Sequence, residues 1–134
     1  MSIKETNRIA EEFLARMGKG ATPDDIAALF SADLDFEIAG DVGALPWIGK
    51  KNGRKAVADF VHDLRNLVEP IRFEVHDIVA NDTRAVILGE LASRSKRTGK
   101  VMETAFAFVL TIAGGEITHF RMLEDSFAVS QAAH

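Results

Sequence analysis

Beyond Pro70 the chain offers four strand-like segments in succession with no helix between them. Ile71, Phe73 and Val75 alternate with polar residues, and Ile78 and Val79 break that phase as a bulge would. Asn81-Asp82 marks a turn. The run from Ala85 to Leu91 is apolar on both faces, as in a central strand. Lys96 to Lys100 is a polar turn containing Gly99. Val101 to Ile112 is a further long strand with Phe106, Phe108 and Leu110 on one face, and Gly114-Gly115 turns the chain into a last strand from Ile117.

The first half reads as helical. Ser2-Ile3-Lys4-Glu5 has the form of a capping box, and Ile9, Ala10, Phe13, Leu14 and Met17 follow at helical spacing before Gly18 and Gly20. Thr22-Pro23-Asp24-Asp25 opens a second, short helix carrying Ile26, Leu29 and Phe30: Thr22 caps, Pro23 takes the first position and the acids favour the positive end. Leu34, Phe36 and Ile38 alternate with Asp35 and Glu37 in a short strand. A loop from Gly40 to Asn52 contains Pro46 and Trp47. A third helix begins near Gly53, with Ala56, Val57, Phe60, Val61, Leu64, Leu67 and Val68 as its apolar stripe and Pro70 as its stop. This order predicts one α+β domain over residues 1–134, with helices packed on one face of an antiparallel sheet.

Composition narrows the function. The net charge of −4 argues against nucleic acid or anionic membrane as the main partner. With no cysteine in the chain, thiolate nucleophiles and thiolate metal sites are excluded, and a reducing cytoplasm is the expected setting. Met1 to Glu5 has no long apolar run, so no signal peptide is expected, and no segment approaches the about 20 apolar residues of a membrane span. His62, His76, His119 and His134 lack ligand spacing, so no metal is expected. No cofactor motif is seen.

The last strand holds the candidate chemistry. Alternation places Ile117, His119, Arg121, Leu123 and Asp125 on one face, and Thr118, Phe120, Met122 and Glu124 on the other. A simple hairpin over 113–116 sets Ile112 opposite Ile117, Phe108 opposite Arg121 and Thr104 opposite Asp125. Ionisable groups buried among aliphatic ones are paired or used, and His119 titrates near neutrality. An ion pair at a sheet edge or a dimer contact is the plainer reading of the same residues.

The element order, with Ile26-Ala27-Ala28-Leu29-Phe30-Ser31-Ala32-Asp33, Ile48-Gly49 before Gly53, Gly115-Glu116-Ile117 and Arg121-x-x-x-Asp125, resembles the nuclear transport factor 2-like superfamily. That superfamily includes ketosteroid isomerases and SnoaL-like polyketide cyclases. The resemblance implies a cone-shaped, curved antiparallel sheet with three main helices on its concave face, enclosing a pocket. Fold alone leaves the reaction open. The ketosteroid isomerase pattern implies a catalytic Asp where Ala39 stands, a Tyr donor where Phe13 stands and a protonated Asp where Ala107 stands. There is no Tyr in the chain, so that activity is not expected. The SnoaL-like pattern fits better, with Arg121, Asp125 and Gln131 at its aromatic, acid/base and tail positions, although Arg121 replaces the aromatic. Limonene-type epoxide hydrolases use an Asp-Arg-Asp set of which Arg121 and Asp125 could supply part; Asp35, Asp41 and Asp77 are the choices for the rest.

The resulting expectation is a small-molecule pocket protein, with Asp125 and His119 as catalytic groups acting on a small carbonyl or ring compound. Arg121, Trp47, Phe108, Phe13 and Phe60 are the expected substrate contacts. The alternative is a non-catalytic ligand-binding or dimerisation module of the same fold, its cavity plugged by Phe106, Phe108 and Trp47. Glu90 interrupts an apolar strand and needs a partner. Apolar residues on both faces of the 85–91 and 101–112 strands imply a homodimer packed through sheet faces.

Overall fold

The computed structural model describes residues 2–134. Three helices accompany the first strands: α1 (Ile3–Gly18), α2 (Pro23–Ala27) and α3 (Arg54–Leu67), with β1 (Phe30–Ile38) and β2 (Gly49–Asn52) between the last two. Then come β3 (Val68–Ala80), β4 (Arg84–Ser95), β5 (Val101–Ala113), β6 (Glu116–Glu124) and a fourth helix, α4 (Ser126–Ala133).

The caps behave as the sequence suggests. Ser2 accepts the Glu5 N–H at 3.1 Å and Thr22 accepts that of Asp25 at 3.1 Å, each satisfying an orphan donor of a first turn. Boundaries shift where packing overrides local signals. Phe30 belongs to β1 rather than to the second helix, and Val68 and Pro70 belong to β3 rather than to α3. Pro70 is tolerated because β3 is an edge strand. The loop after β1 contributes β2, and the residues after β6 fold into α4, an element that local pattern does not announce.

The sheet runs β2-β1-β6-β5-β4-β3. It is mixed, not wholly antiparallel: β1 and β6 pair in parallel, with Phe36 beside Phe120 and Ile38 beside Met122. β1 is separated from β6 by the whole of α3 and the β3–β5 meander. That long connection allows a parallel pairing that a hairpin cannot make. The Gly114-Gly115 turn is a two-residue loop closing the Ala113–Glu116 pair, with both φ angles positive at 59° and 82°.

Helices α1 and α3 turn Ile9, Ala10, Phe13, Ala56, Val57, Phe60 and Val61 onto the concave face of the sheet. There they meet Leu34, Phe36, Ile87, Phe108, Leu110, Phe120 and Met122. Every phenylalanine except Phe127 makes a ring contact within this layer, from Phe36 stacked on Phe120 at 5.2 Å to Phe73 stacked on Phe106 at 5.0 Å. Burying such rings supplies most of the driving force, at about 25 cal/mol per Å² of apolar surface.

Gly89 makes this packing possible. A Cβ at that position would lie 2.1 Å from the Glu74 carbonyl oxygen and 2.7 Å from the Phe106 ring. The ring therefore lies over the backbone of β4 and reaches across to Phe73. β3 bends here too: its register against β4 shifts between Val75 and Asp77, leaving His76 as the extra residue.

A one-residue irregularity decides the β5–β6 ladder. Ile112 does pair with Ile117, but the next pair is Thr111 with His119, so Thr118 is a bulge. From there Phe108 faces Met122, Val109 faces Arg121 and Phe106 faces Glu124. The expected pairing of Phe108 with Arg121 is therefore corrected by one residue, and a one-residue slip carries each side chain to the other face.

Candidate functional site

The slip separates the residues expected to share a pocket. His119 and Arg121 lie on the convex face, away from the helices. His119 Nε2 is 3.0 Å from Asp35 Oδ2, and Arg121 Nε is 3.0 Å from Glu37 Oε1. Both pairs are more than half exposed on the basic side. Successive rows across this face read Asn52, Asp35, His119, Thr111, Arg84, then Lys50, Glu37, Arg121, Val109, Val86, Val79. Most of these residues line an open groove of about 630 Å³. The plainer reading of the two basic residues, ion pairs on the sheet, is what the geometry shows.

Asp125 is elsewhere again. It follows β6 as the N-cap of α4, where Oδ1 accepts the Ala128 N–H at 3.1 Å. Its own N–H donates to Thr104 Oγ1 at 2.7 Å, so the expected link between Thr104 and Asp125 exists through the backbone. The Thr104 hydroxyl donates onward to the Ala105 carbonyl, which commits both its roles. The gap between Arg121 and Asp125, expected to hold a ligand, is not formed: one side chain lies on the convex sheet face and the other caps a helix.

The expected aromatic contacts are brought together. Phe13, Phe108, Phe60 and Trp47 are all buried, with Phe13 edge-on to Phe108 at 6.0 Å and Trp47 edge-on to Phe60 at 5.7 Å. They fill the cone as core. Phe106 joins them, tilted on Phe108 at 4.7 Å. Ala107 lies on the convex face, so the ketosteroid isomerase match at that position is also off by one. The concave neighbours are Phe106 and Phe108, and they carry no carboxyl either.

Glu124, in phase with Phe120 and Met122 along β6, is a functional candidate that the strand pattern alone does not single out. Among the described residues of β1, β4, β5 and β6 it is the single ionisable side chain on the concave side. Burial alone pushes its carboxyl up to about 7, because charge is disfavoured where water is scarce and no cation answers it. It forms no hydrogen bond or ion pair with a described residue. Since no fully buried side-chain polar atom goes unpartnered, its oxygens keep contact with solvent. The signal that could have found it was present: an acid in phase with Phe120 and Met122.

Glu124 and Asp125 line one open cleft of about 540 Å³ with Glu103, Thr104, Phe106 and Leu123. A second open cleft, of about 1160 Å³, runs beside α4 and includes Gln131 and His134.

Glu90 finds its partners on the convex face. It sits directly across from Glu74, a like-charged pair that costs stability unless neutralised. Arg72 Nη1 lies 3.5 Å from Glu74 and 3.7 Å from Glu90, and His76 Nε2 lies 3.7 and 3.6 Å from the same two acids. Glu74, His76 and Glu90 place ligand atoms within 4.8 Å of one another, the spacing a cation would need. Arg72 already supplies that positive charge.

A curved mixed sheet wrapped over α1 and α3 defines an α+β domain of the nuclear transport factor 2-like superfamily. Residues 10–120 match the SnoaL-like domain, and the chain belongs to that family. No curated protein matches the sequence. A crystal structure of an NTF2-like protein from Burkholderia xenovorans is similar along 100% of this chain and 99% of its own, with 27% identity and a TM-score of 0.89. TerC, co-crystallised with polyporic acid, is 16% identical over 96% of this chain and 98% of its own, with a TM-score of 0.81. A protein of ketosteroid isomerase-like fold from Catenulispora acidiphila, in complex with trimethylamine, is 16% identical over 96% of this chain and 93% of its own, with a TM-score of 0.76. No helix among the described residues is long and apolar enough to cross a membrane.

Proposed function

We propose that this chain is a small-molecule pocket protein of the SnoaL-like family, acting by acid–base chemistry on a small, partly apolar carbonyl or ring compound. Glu124 carries the proton and Asp125 lies beside it in the cleft. The observation that supports this reading is a solvent-reachable carboxyl, unpaired among the described residues, on a concave face where the central strands place no other ionisable side chain. A carboxyl poised near neutrality can both accept and return a proton at working pH. This moves the acid/base role from Asp125, which is engaged in capping, to its neighbour. His119 and Arg121 belong to the convex face and are assigned to assembly.

The family places no single reaction on the fold, but relatives named with small ligands bound support a small-molecule role. The deciding experiment compares the wild type with Glu124→Gln in a thermal-shift screen of small cyclic ketones, lactones and quinones, followed by turnover assays on the compounds that bind. Binding retained by both, with turnover confined to the wild type, supports the catalytic reading. Binding by both with turnover by neither supports the non-catalytic module, which the burial of Phe106, Phe108 and Trp47 also favours.

The partner in solution is proposed to be a second copy. Val79, Val86, Leu88, Ala107, Val109 and Leu123 form an apolar band on the convex face, flanked by the Arg121–Glu37 and Arg72–Glu90 pairs. Leu88 and Leu123 are 39% and 38% exposed in the single chain, as residues of an interface core would be before pairing.

A further inference from the structure

We propose that His76, Glu74 and Glu90 form a binding site for a divalent transition-metal ion, zinc being the best fit, at the β3 bulge on the convex face. Sequence spacing hides this site, because it needs one histidine and draws its acids from two strands. Glu74 and His76 are two residues apart on β3, and the ladder brings Glu90 of β4 directly across from Glu74. His76, the extra residue of the bulge, places Nε2 at 3.7 Å from Glu74 Oε2 and 3.6 Å from Glu90 Oε2. The three ligand atoms all lie within 4.8 Å of one another. The two imidazole contacts are too long for hydrogen bonds. They are close to the edge, roughly 3.3 Å, of a tetrahedron whose metal–ligand bonds are about 2.0 Å. All three side chains are about half exposed, so an ion reaches them and water completes its shell.

Charge balance argues for more than Arg72. Its Nη1 is 3.5 Å from Glu74 and 3.7 Å from Glu90, so the guanidinium offsets one of two facing carboxylate charges and hydrogen-bonds neither. With His76 neutral, one negative charge is left over. A divalent ion matches both carboxylates, and the long, partly exposed Arg72 side chain is free to turn to water. The imidazole decides the kind of ion. Calcium takes about six or more oxygen ligands, whereas one imidazole with two carboxylates and a water is a donor set that suits zinc. The other histidine–acid pairs are simpler: His119 meets Asp35 and His134 meets Asp41, one carboxylate each. Among the described residues no other three such groups converge. The site flanks the convex apolar band and lies on the opposite sheet face from Glu124, so it stands apart from the acid–base reading.

The test titrates zinc chloride into the full chain by calorimetry in a non-coordinating buffer at neutral pH, with cobalt(II) absorption reporting the coordination geometry. One zinc per chain is expected, with the visible bands of tetrahedral cobalt. His76→Ala and Glu90→Gln are each expected to weaken zinc by about tenfold or more. Both positions are half exposed, and thermal melts verify that the variants stay folded. Arg72→Gln is the sharper test: removing the competing charge should tighten zinc several-fold, whereas a plain ion-pair cluster gives no such gain. His119→Ala should leave zinc affinity unchanged. The proposal is overturned if the wild type takes up no zinc, if His76→Ala binds it as tightly, or if Arg72→Gln fails to tighten it. Loss of binding in His119→Ala, or displacement of zinc by calcium chloride at equal concentration, overturns it as well.

Discussion

Phe106 and Glu124 are directly paired across the β5–β6 ladder, a large ring and a carboxyl side by side on the apolar side of the sheet. The pairing exists because Thr118 bulges. It brings the Glu124 face of β6 to the concave side, where Glu124 is the one acid among the described residues of β1, β4, β5 and β6.

The first prediction is the titration of Glu124. Its carboxyl is raised from the usual 4.5 to about 7, so the unfolded chain gives up this proton more readily than the folded one. The stabilising contribution is complete below pH 4.5 and is lost as pH rises through about 7. Relative to the wild type, Glu124→Gln should gain up to about 3 kcal/mol between pH 4.5 and pH 8. Urea unfolding at the two pH values checks this; a pH-independent difference would count against a raised carboxyl.

Gly89→Ala should be severe. Its Cβ would meet backbone at 2.1 Å, and backbone cannot rotate aside as a side chain can. A loss of about 3 kcal/mol or more is expected, or failure to fold. Gly18, at the end of α1, has nothing within 4 Å of its Cβ, and Gly18→Ala is the neutral control. Thermal melts of the two variants should differ by many degrees.

Asp125→Ala should cost about 1 kcal/mol through loss of the α4 cap, and Asp125→Ser should restore most of it. Arg121→Met removes an exposed pair and should change monomer stability by less than about 1 kcal/mol. Chemical denaturation separates the two. A large effect of Arg121→Met at low protein concentration would show the residue to be more than a surface partner.

Steroid double-bond isomerisation above background is not expected. Ala39 and Phe13 stand where that chemistry needs an acid and a phenol, and Phe106 and Phe108 occupy the concave positions flanking Ala107. A spectrophotometric isomerase assay decides this directly.

Light scattering at micromolar concentration should give the mass of a dimer, and Leu88→Lys should shift it to a monomer without unfolding the chain. A monomer mass for the wild type would leave the convex apolar band without a partner.

Much of the fold was legible in residue order. Capping at Ser2 and Thr22, helical spacing through Phe13 and Phe60 and the meander after Pro70 are local signals, and each appears where the sequence puts it. The family resemblance rested on the same order and is upheld by the SnoaL-like match. What local pattern could not carry was pairing. Nothing near Ile38 or Met122 announces that β1 and β6 run parallel, because that choice depends on the sheet and helix between them in sequence. Nothing in Ile117-Thr118-His119 announces a bulge, and alternation read without it aligns Arg121 with Phe108. Side-chain identity and period are written in the sequence. Register is set by which neighbouring strand captures each hydrogen bond, and here one residue of register moved the candidate site from Asp125 and Arg121 to Glu124.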